Sequence, residues 1–355
     1  MTRLALLLLT SVVLAPCPAY AAWHDDTQPI MGTRVHAEIW HEDPATAKRL
    51  LAAVMAEMRR IDDAYSPFKP ESELSRLNRR APEGWVEVSP ELFDLLEQSR
   101  RMSELTGGAF DVTYASVGRY YDYRAGKRPD DEQIRRGVEA IDYGYVELDR
   151  SGPRVRYRRP EVYVDLGGIA KGFAVDRCID ILRRAGVGHA GVSAGGDSYI
   201  LGDRRGEPWT VGVRAPRDAS AMSAVLPLMD TAVSTSGDYE RFFVEDGVRY
   251  HHILDPETGR SATRAWSVTI LGPATTFTDA LSTSVFVLGP ERGLALIDRL
   301  PGIDAIIVDA SGRLLYSREL TALKASGVAP AASAHGAASG NPGPPAGARE
   351  SPLRR

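Results

Sequence analysis

Two strand-forming runs, YVELD (145–149) and RVRYRR (154–159), stand either side of Ser151-Gly152-Pro153, a spacing that makes a hairpin. Helical patterns come before it without alternating one for one with strands. Residues 44–65 carry Leu50, Leu51, Val54, Met58, Ile61 and Tyr65 at helical spacing. Residues 90–106 form a second helix, with Pro90 near its start and Gly107-Gly108 past its end. TRVHAEIW alternates Val35, Ala37 and Ile39 against polar neighbours, the pattern of a half-buried strand. WTVGVRA, AVLPLMD, WSVTILG and DAIIVDASGRLLYS read as further strands, and Phe277–Leu288 and Pro290–Leu300 as helices. Consecutive hairpins argue for an α+β fold over a doubly wound one.

Both ends of the chain read as lying outside that fold. Residues 1–22 hold one Arg, an apolar run and the Ala19-Tyr20-Ala21 cleavage pattern, the features of a secretory signal peptide. The run is too short to span a membrane comfortably. Leu14-Ala15-Pro16-Cys17 has the outline of a lipidation box, but Pro16 stands where a small flexible residue is expected, so cleavage near Ala21 or Ala22 is preferred. Cys178 is then the one cysteine of the mature chain and has no partner for an intramolecular disulfide. Its place on an apolar helical stripe predicts burial. Residues 325–355 are rich in Ala, Gly, Pro and Ser and lack large apolar side chains, which predicts a disordered tail. The folded domain is expected over 23–324. With 43% hydrophobic residues, 25% charged residues and a net charge of −4, the chain is an ordinary globular protein with no nucleic-acid surface.

The chemistry concentrates in glycine- and aspartate-bearing turns. In VYVDLGGIAKGFAVDR (162–177), Val162–Leu166 reads as a short strand, Gly167-Gly168 as a turn, and the rest as the start of a helix. Free N–H groups at that helix start suit an anion, and Lys171 lies in the first turn beside it. The spacing is not that of a P-loop, and Asp165 alone could be a cap. TGGAFDVTY puts Asp111 in a turn after a helix, and GVSAGGDSYILG reads as a strand broken by Gly195-Gly196 before Asp197. STSGDYERFF reads as a polar turn before aromatics. YHHILDPETGR places His251 and His252 on alternate sides of a strand, so that at least one points outward. In TFTDALSTSVFVLG, Asp279 and Thr283 share one helix face. A carboxylate, a hydroxyl and a glycine turn offering carbonyl oxygens suit a hard cation such as Mg²⁺. Zinc spacings and H-E-x-x-H are absent from the sequence.

At these residues the sequence resembles the FAD:protein FMN transferase (ApbE) family. The resemblance runs from Met31-Gly32-Thr33 to about Tyr316, through MGT, YSPFKPESELSRLN, TGGAFDVTY, VDLGGIAKGFAVD, GVSAGGD, STSGDYERFF, HHILDPETG and DALSTSVFVLG in the family's order. It departs at Val112, where many relatives have Pro, and at Gly168, where many have Ala. The implied fold is α+β, with mixed, largely antiparallel sheets flanked by helices, in a single compact core with two lobes. The implied activity is Mg²⁺-dependent cleavage of FAD, with FMN attached through a phosphoester to a Thr or Ser of a target flavoprotein and AMP released. The alternatives are an FAD pyrophosphatase that uses water, and a periplasmic flavin-binding or storage protein. The implied acceptor is a flavoprotein subunit of a membrane electron-transfer complex. The implied location is periplasmic or exported, with membrane contact only through an anchor or the target. Carried over to this sequence, Met31, Phe68, Ala109, Phe110, Asp111, Asp165, Lys171, His252 and Ile253 would contact FAD. Asp279, Thr283, Ser282 and the Gly168 carbonyl would hold the metal. His252 is the candidate base, and an aspartate near the metal is the other.

Overall fold

The computed structural model describes residues 21–325. The expected leader and tail lie outside these residues except at their inner edges. There, Ala22 opens the strand Ala22–Ile30 and Ala325 closes the helix Arg318–Ala325.

The frame is an eight-stranded sheet whose strands lie side by side in chain order: Ala22–Ile30, Thr33–His41, Ala190–Ala194, Asp197–Leu201, Thr231–Gly237, Ala265–Gly272, Asp304–Asp309 and Leu314–Tyr316. Each neighbouring pair is antiparallel. Val35, Ala37 and Ile39 fill the inward positions of the second strand and are fully buried. Helices Pro44–Tyr65, Ala170–Arg184 and Thr275–Leu288 pack side by side and against successive strands of this sheet. A long hairpin, Trp209–Ala215 with Asp218–Leu228, adds a second apolar cluster in which Val213, Ala224 and Leu226 meet Val233, Leu271 and Ile306. The predicted 145–159 hairpin forms within a three-stranded sheet, pairing Val146 with Tyr157 and Asp149 with Arg154. Cys178 is buried and, among the described residues, has no disulfide partner.

Helices Pro44–Tyr65 and Pro90–Thr106 have the expected bounds. The later pair shift slightly, to Thr275–Leu288 and Pro290–Ile297. Three expectations need correction. Val162–Leu166 joins no sheet. The buried Asn78 amide takes the place of a partner strand: its Nδ2 donates to Val164 O at 2.8 Å, and its Oδ1 accepts from Val164 N at 2.9 Å. STSG is not a turn but the end of a central strand. Its hydroxyls look polar in sequence but are paired inside the protein, Ser234 with Thr278, Thr235 with Thr269 and Ser236 with Ser282. Finally, Gly195-Gly196 does not interrupt one strand but links two, as a tight hairpin with Ala194 opposite Asp197. Gly195 takes the left-handed conformation that such a loop requires at its first position.

Candidate active site

The Lys171 helix (Ala170–Arg184) and the Asp279 helix (Thr275–Leu288) meet at their N-terminal ends, and neither has a side-chain cap from its own N-cap residue. Each is capped by the other. Asp279 Oδ2 accepts from Gly172 N at 3.0 Å, while the carboxylate of Asp176 accepts from Thr275 N and Thr276 N, both at 2.8 Å. The Thr276 hydroxyl also donates to Asp176, at 2.6 Å. Carboxylates in these positions satisfy orphan amides and face the positive ends of helix dipoles. Gly172 permits the approach, because a Cβ there would stand 2.2 Å from Thr275 O and 2.8 Å from Asp279 Cβ.

This joint holds a charged cluster. Lys171 Nζ lies 2.8 Å from Asp197, 3.1 Å from Asp279 and 3.1 Å from the Gly167 carbonyl. Both carboxylates are almost fully buried. Burial and the charge of Asp197 push Asp279 up to about 7, against the opposing pull of Lys171 and the Gly172 amide. One ammonium therefore serves two buried carboxylates, which leaves a negative excess when both are ionised. A turn further along, the Ser236 hydroxyl lies 2.8 Å from Ser282 Oγ and 3.3 Å from Thr283 Oγ1. Gly168 faces Thr283, so that a Cβ there would stand 3.6 Å from Thr283 Oγ1 and 3.2 Å from the Phe110 ring. Asp279, Ser282 and Thr283 lie within four residues of one another on one helix and Gly168 faces Thr283; a carboxylate, hydroxyls and a backbone carbonyl are the donor types that a hard cation takes. Among the described residues no group of three His, Cys, Asp or Glu side chains could hold a metal, so hydroxyl and carbonyl oxygens would complete the set.

The surrounding walls come from turns. Met31-Gly32 is a two-residue hairpin loop with both residues left-handed, φ 55° and 66°. Methionine is unusual there, and the conformation costs about 1–2 kcal/mol. It holds the Met31 side chain against the edge of the core. Asp165 accepts from Gly167 N at 2.6 Å and from the Tyr114 hydroxyl. Burial raises its carboxyl, while those donors, Arg241 and Lys171 oppose the rise. Asp111 is raised to about 6 by burial, against three donors: Thr113 N at 2.8 Å, the Thr113 hydroxyl at 2.6 Å and Tyr143 N at 2.8 Å. It pins the loop that carries Ala109 and Phe110.

The two histidines do not alternate across a strand, because the strand Val248–His251 ends between them: His251 is buried, and His252 is half-buried. His251 is a structural residue. Its Nε2 donates to Ala262 O at 2.8 Å, its Nδ1 accepts from Ile253 N at 3.3 Å, and its ring packs edge-on against Phe286. His252 Nδ1 is buried with no hydrogen-bond partner among the described residues. Burial first, then the charges of Arg241, His251 and Lys171, hold the His252 imidazole down to about 3, so it is neutral. Ile253 is buried in the core behind it. Phe68 stands in the loop after helix Pro44–Tyr65 and is 82% exposed.

Asp176, Asn78, Ser236 and Arg241 also build the site without standing out in the sequence. Asp176, Ser236 and Arg241 lie inside the motifs, and Asn78 ends one as a polar residue on an otherwise amphipathic helix.

Two buried carboxylates around one ammonium, with a neutral imidazole that feels the same ammonium, are more than a packing core requires. The chain belongs to the ApbE family, which it matches over residues 31–307. It is 33% identical to the FAD:protein FMN transferase of Vibrio cholerae over 301 residues, covering 82% of this chain and 89% of that one. Identity to the FAD:protein FMN transferase of Treponema pallidum is 33% over 308 residues, covering 81% and 85%. The crystal structure of the ApbE protein from Thermotoga maritima superposes with a TM-score of 0.78 at 35% identity, covering 85% of this chain and 99% of that one.

Proposed function

We propose that this protein is a Mg²⁺-dependent FAD:protein FMN transferase. It would break the diphosphate of FAD, join the FMN phosphate to a Thr or Ser hydroxyl of a target flavoprotein, and release AMP. The observation that carries the reading is the convergence of separated motifs on one site: the Lys171–Asp197–Asp279 cluster, with Thr283 and Gly168 beside it, in a chain of the ApbE family.

Asp279, Thr283, Ser282 and the Gly168 carbonyl would hold Mg²⁺, which when bound supplies positive charge to the phosphoryl oxygens. Lys171 keeps Asp197 and Asp279 fixed at the edge of the nucleotide. Met31, Phe68, Ala109, Phe110, Asp111, Asp165 and Ile253 would form or brace the flavin and nucleotide walls. As the acceptor oxygen bonds to phosphorus and the bond to AMP breaks, the acceptor proton needs a base. His252 is neutral and has a nitrogen free to take it. The negative charge of a bound diphosphate offsets the neighbouring cations and raises its basicity. If residues 1–22 act as the leader that their sequence predicts, the protein would work outside the cytoplasm, on a flavoprotein subunit of a membrane electron-transfer complex.

The test combines purified protein, FAD, MgCl₂ and a candidate acceptor, with mass spectrometry for acceptor-bound FMN. Wild-type protein should label the acceptor. Asp279→Ala should retain the fold by circular dichroism and lose labelling. Labelling by Asp279→Ala at the wild-type rate rejects the metal assignment. Release of FMN and AMP with an unlabelled acceptor makes the protein a pyrophosphatase instead.

A further inference from the structure

A diphosphate needs a cation with donors to spare, and Lys171 has none while its present bonds hold. Its ammonium is shared among Asp197, Asp279 and the Gly167 carbonyl. Arg241 is differently placed. It follows the central strand Thr231–Gly237 and immediately precedes the strand Phe242–Glu245. Its carbonyl accepts from His252 N at 3.2 Å, which ties its backbone to the candidate base. Its side chain turns to the Met31-Gly32 loop, where Nη2 lies 3.6 Å from the place a Cβ on Gly32 would take.

Two nearby arginines are committed, Arg214 to Glu240 and Arg217 to Asp238. Among the described residues the guanidinium of Arg241 makes neither an ion pair nor a hydrogen bond, and the residue is exposed. Its charge is nonetheless felt by Asp165, Tyr114 and His252, which come from three separate parts of the chain. It is therefore an unspent positive charge beside the Met31-Gly32 loop, with its backbone bonded to His252. An arginine in such a place presents a planar fork of donors that matches phosphoryl oxygens.

We propose that Arg241 is the diphosphate anchor of this site, its guanidinium donating hydrogen bonds to phosphoryl oxygens of the bound dinucleotide. This rests on the FAD reading above and assigns the phosphate contact to a residue outside the metal-donor set.

The test compares two ligands on the full chain by flavin fluorescence titration: FAD, which carries the diphosphate, and riboflavin, which has no phosphate. Arg241→Gln should weaken FAD about 10- to 100-fold, the usual worth of charge-assisted hydrogen bonds. Riboflavin affinity should stay within about twofold of wild type, because the contact removed is electrostatic. Arg241→Lys should fall between, since it keeps the charge and loses the fork. Unchanged FAD affinity in Arg241→Gln overturns the assignment. So does an equal loss for both ligands, which would mean a damaged flavin wall. A wild-type protein that binds neither flavin rejects the FAD reading itself, and this inference with it.

Discussion

Gly172→Ala puts two physical effects in opposition. Within a helix, alanine is favoured over glycine by about 1 kcal/mol, so propensity alone predicts a more stable protein. The packing predicts the reverse. The new Cβ would stand 2.2 Å from Thr275 O and 2.8 Å from Asp279 Cβ, both well inside van der Waals contact. The two helix starts must part by roughly 1 Å to restore ordinary carbon contacts. Overpacking of this kind costs about 1–3 kcal/mol. The separation also stretches the reciprocal caps, Asp279 on Gly172 N and Asp176 on Thr275 N and Thr276 N, each worth about 1 kcal/mol. After the propensity gain is subtracted, the expected net loss is about 2–4 kcal/mol. Urea unfolding followed by circular dichroism reads this directly. Flavin transfer should weaken as well, through a higher Mg²⁺ requirement, because Asp279 moves with its helix. A Gly172→Ala protein as stable as wild type, or more so, refutes the argument that close approach dictates this glycine.

Two other predictions rest on separate features. His252 has its imidazole depressed to about 3 from the ordinary 6.5. The unfolded chain therefore takes up a proton below pH 6.5 that the folded chain refuses, and stability is lost as pH falls through that window at about 1.4 kcal/mol per pH unit. Between pH 6.5 and 5, wild type should lose about 2 kcal/mol more than His252→Gln, measured by urea unfolding; parallel pH profiles would show that the ring is not desolvated. Asn78→Ala removes the bonds that hold Val164, leaving its buried N–H and C=O unpaired at a cost of about 2–3 kcal/mol. Its melting temperature should fall and FAD should bind less tightly, since Asp165 is the next residue; a thermal melt and a flavin titration indistinguishable from wild type would discount the tether.

Much of the architecture is written locally. The Pro44–Tyr65 and Pro90–Thr106 helices are bounded by capping residues and apolar stripes that a short window contains. The 145–159 hairpin is likewise fixed by its turn. What a window cannot hold is a partner far along the chain. Val162–Leu166 has the composition of a strand, yet Val164 bonds to a side chain 86 residues away, Tyr163 N to the Ser116 hydroxyl and Asp165 N to the Val112 carbonyl. STSG looks solvated until the hydroxyls of Thr269, Thr278 and Ser282 arrive to pair with it. The same holds at the site. The i and i+4 spacing of Asp279 and Thr283 was readable, as was the charge of Lys171. That the ammonium would face two carboxylates, and that His251 would be spent on the Ala262 carbonyl while His252 stayed free, depends on distant contacts.

The reciprocal caps also bear on how the site comes into being. Lys171 and Asp279 are 108 residues apart, and the amides of Gly172, Thr275 and Thr276 gain their carboxylate caps only when the two helices have docked. A loop of that length must close before either end gains anything. The helices can begin elsewhere along their lengths, but their first turns, and the cluster between them, form as one late cooperative event. The same coupling operates in reverse: a fluctuation that frays one helix start uncaps the other, so the two ends open together.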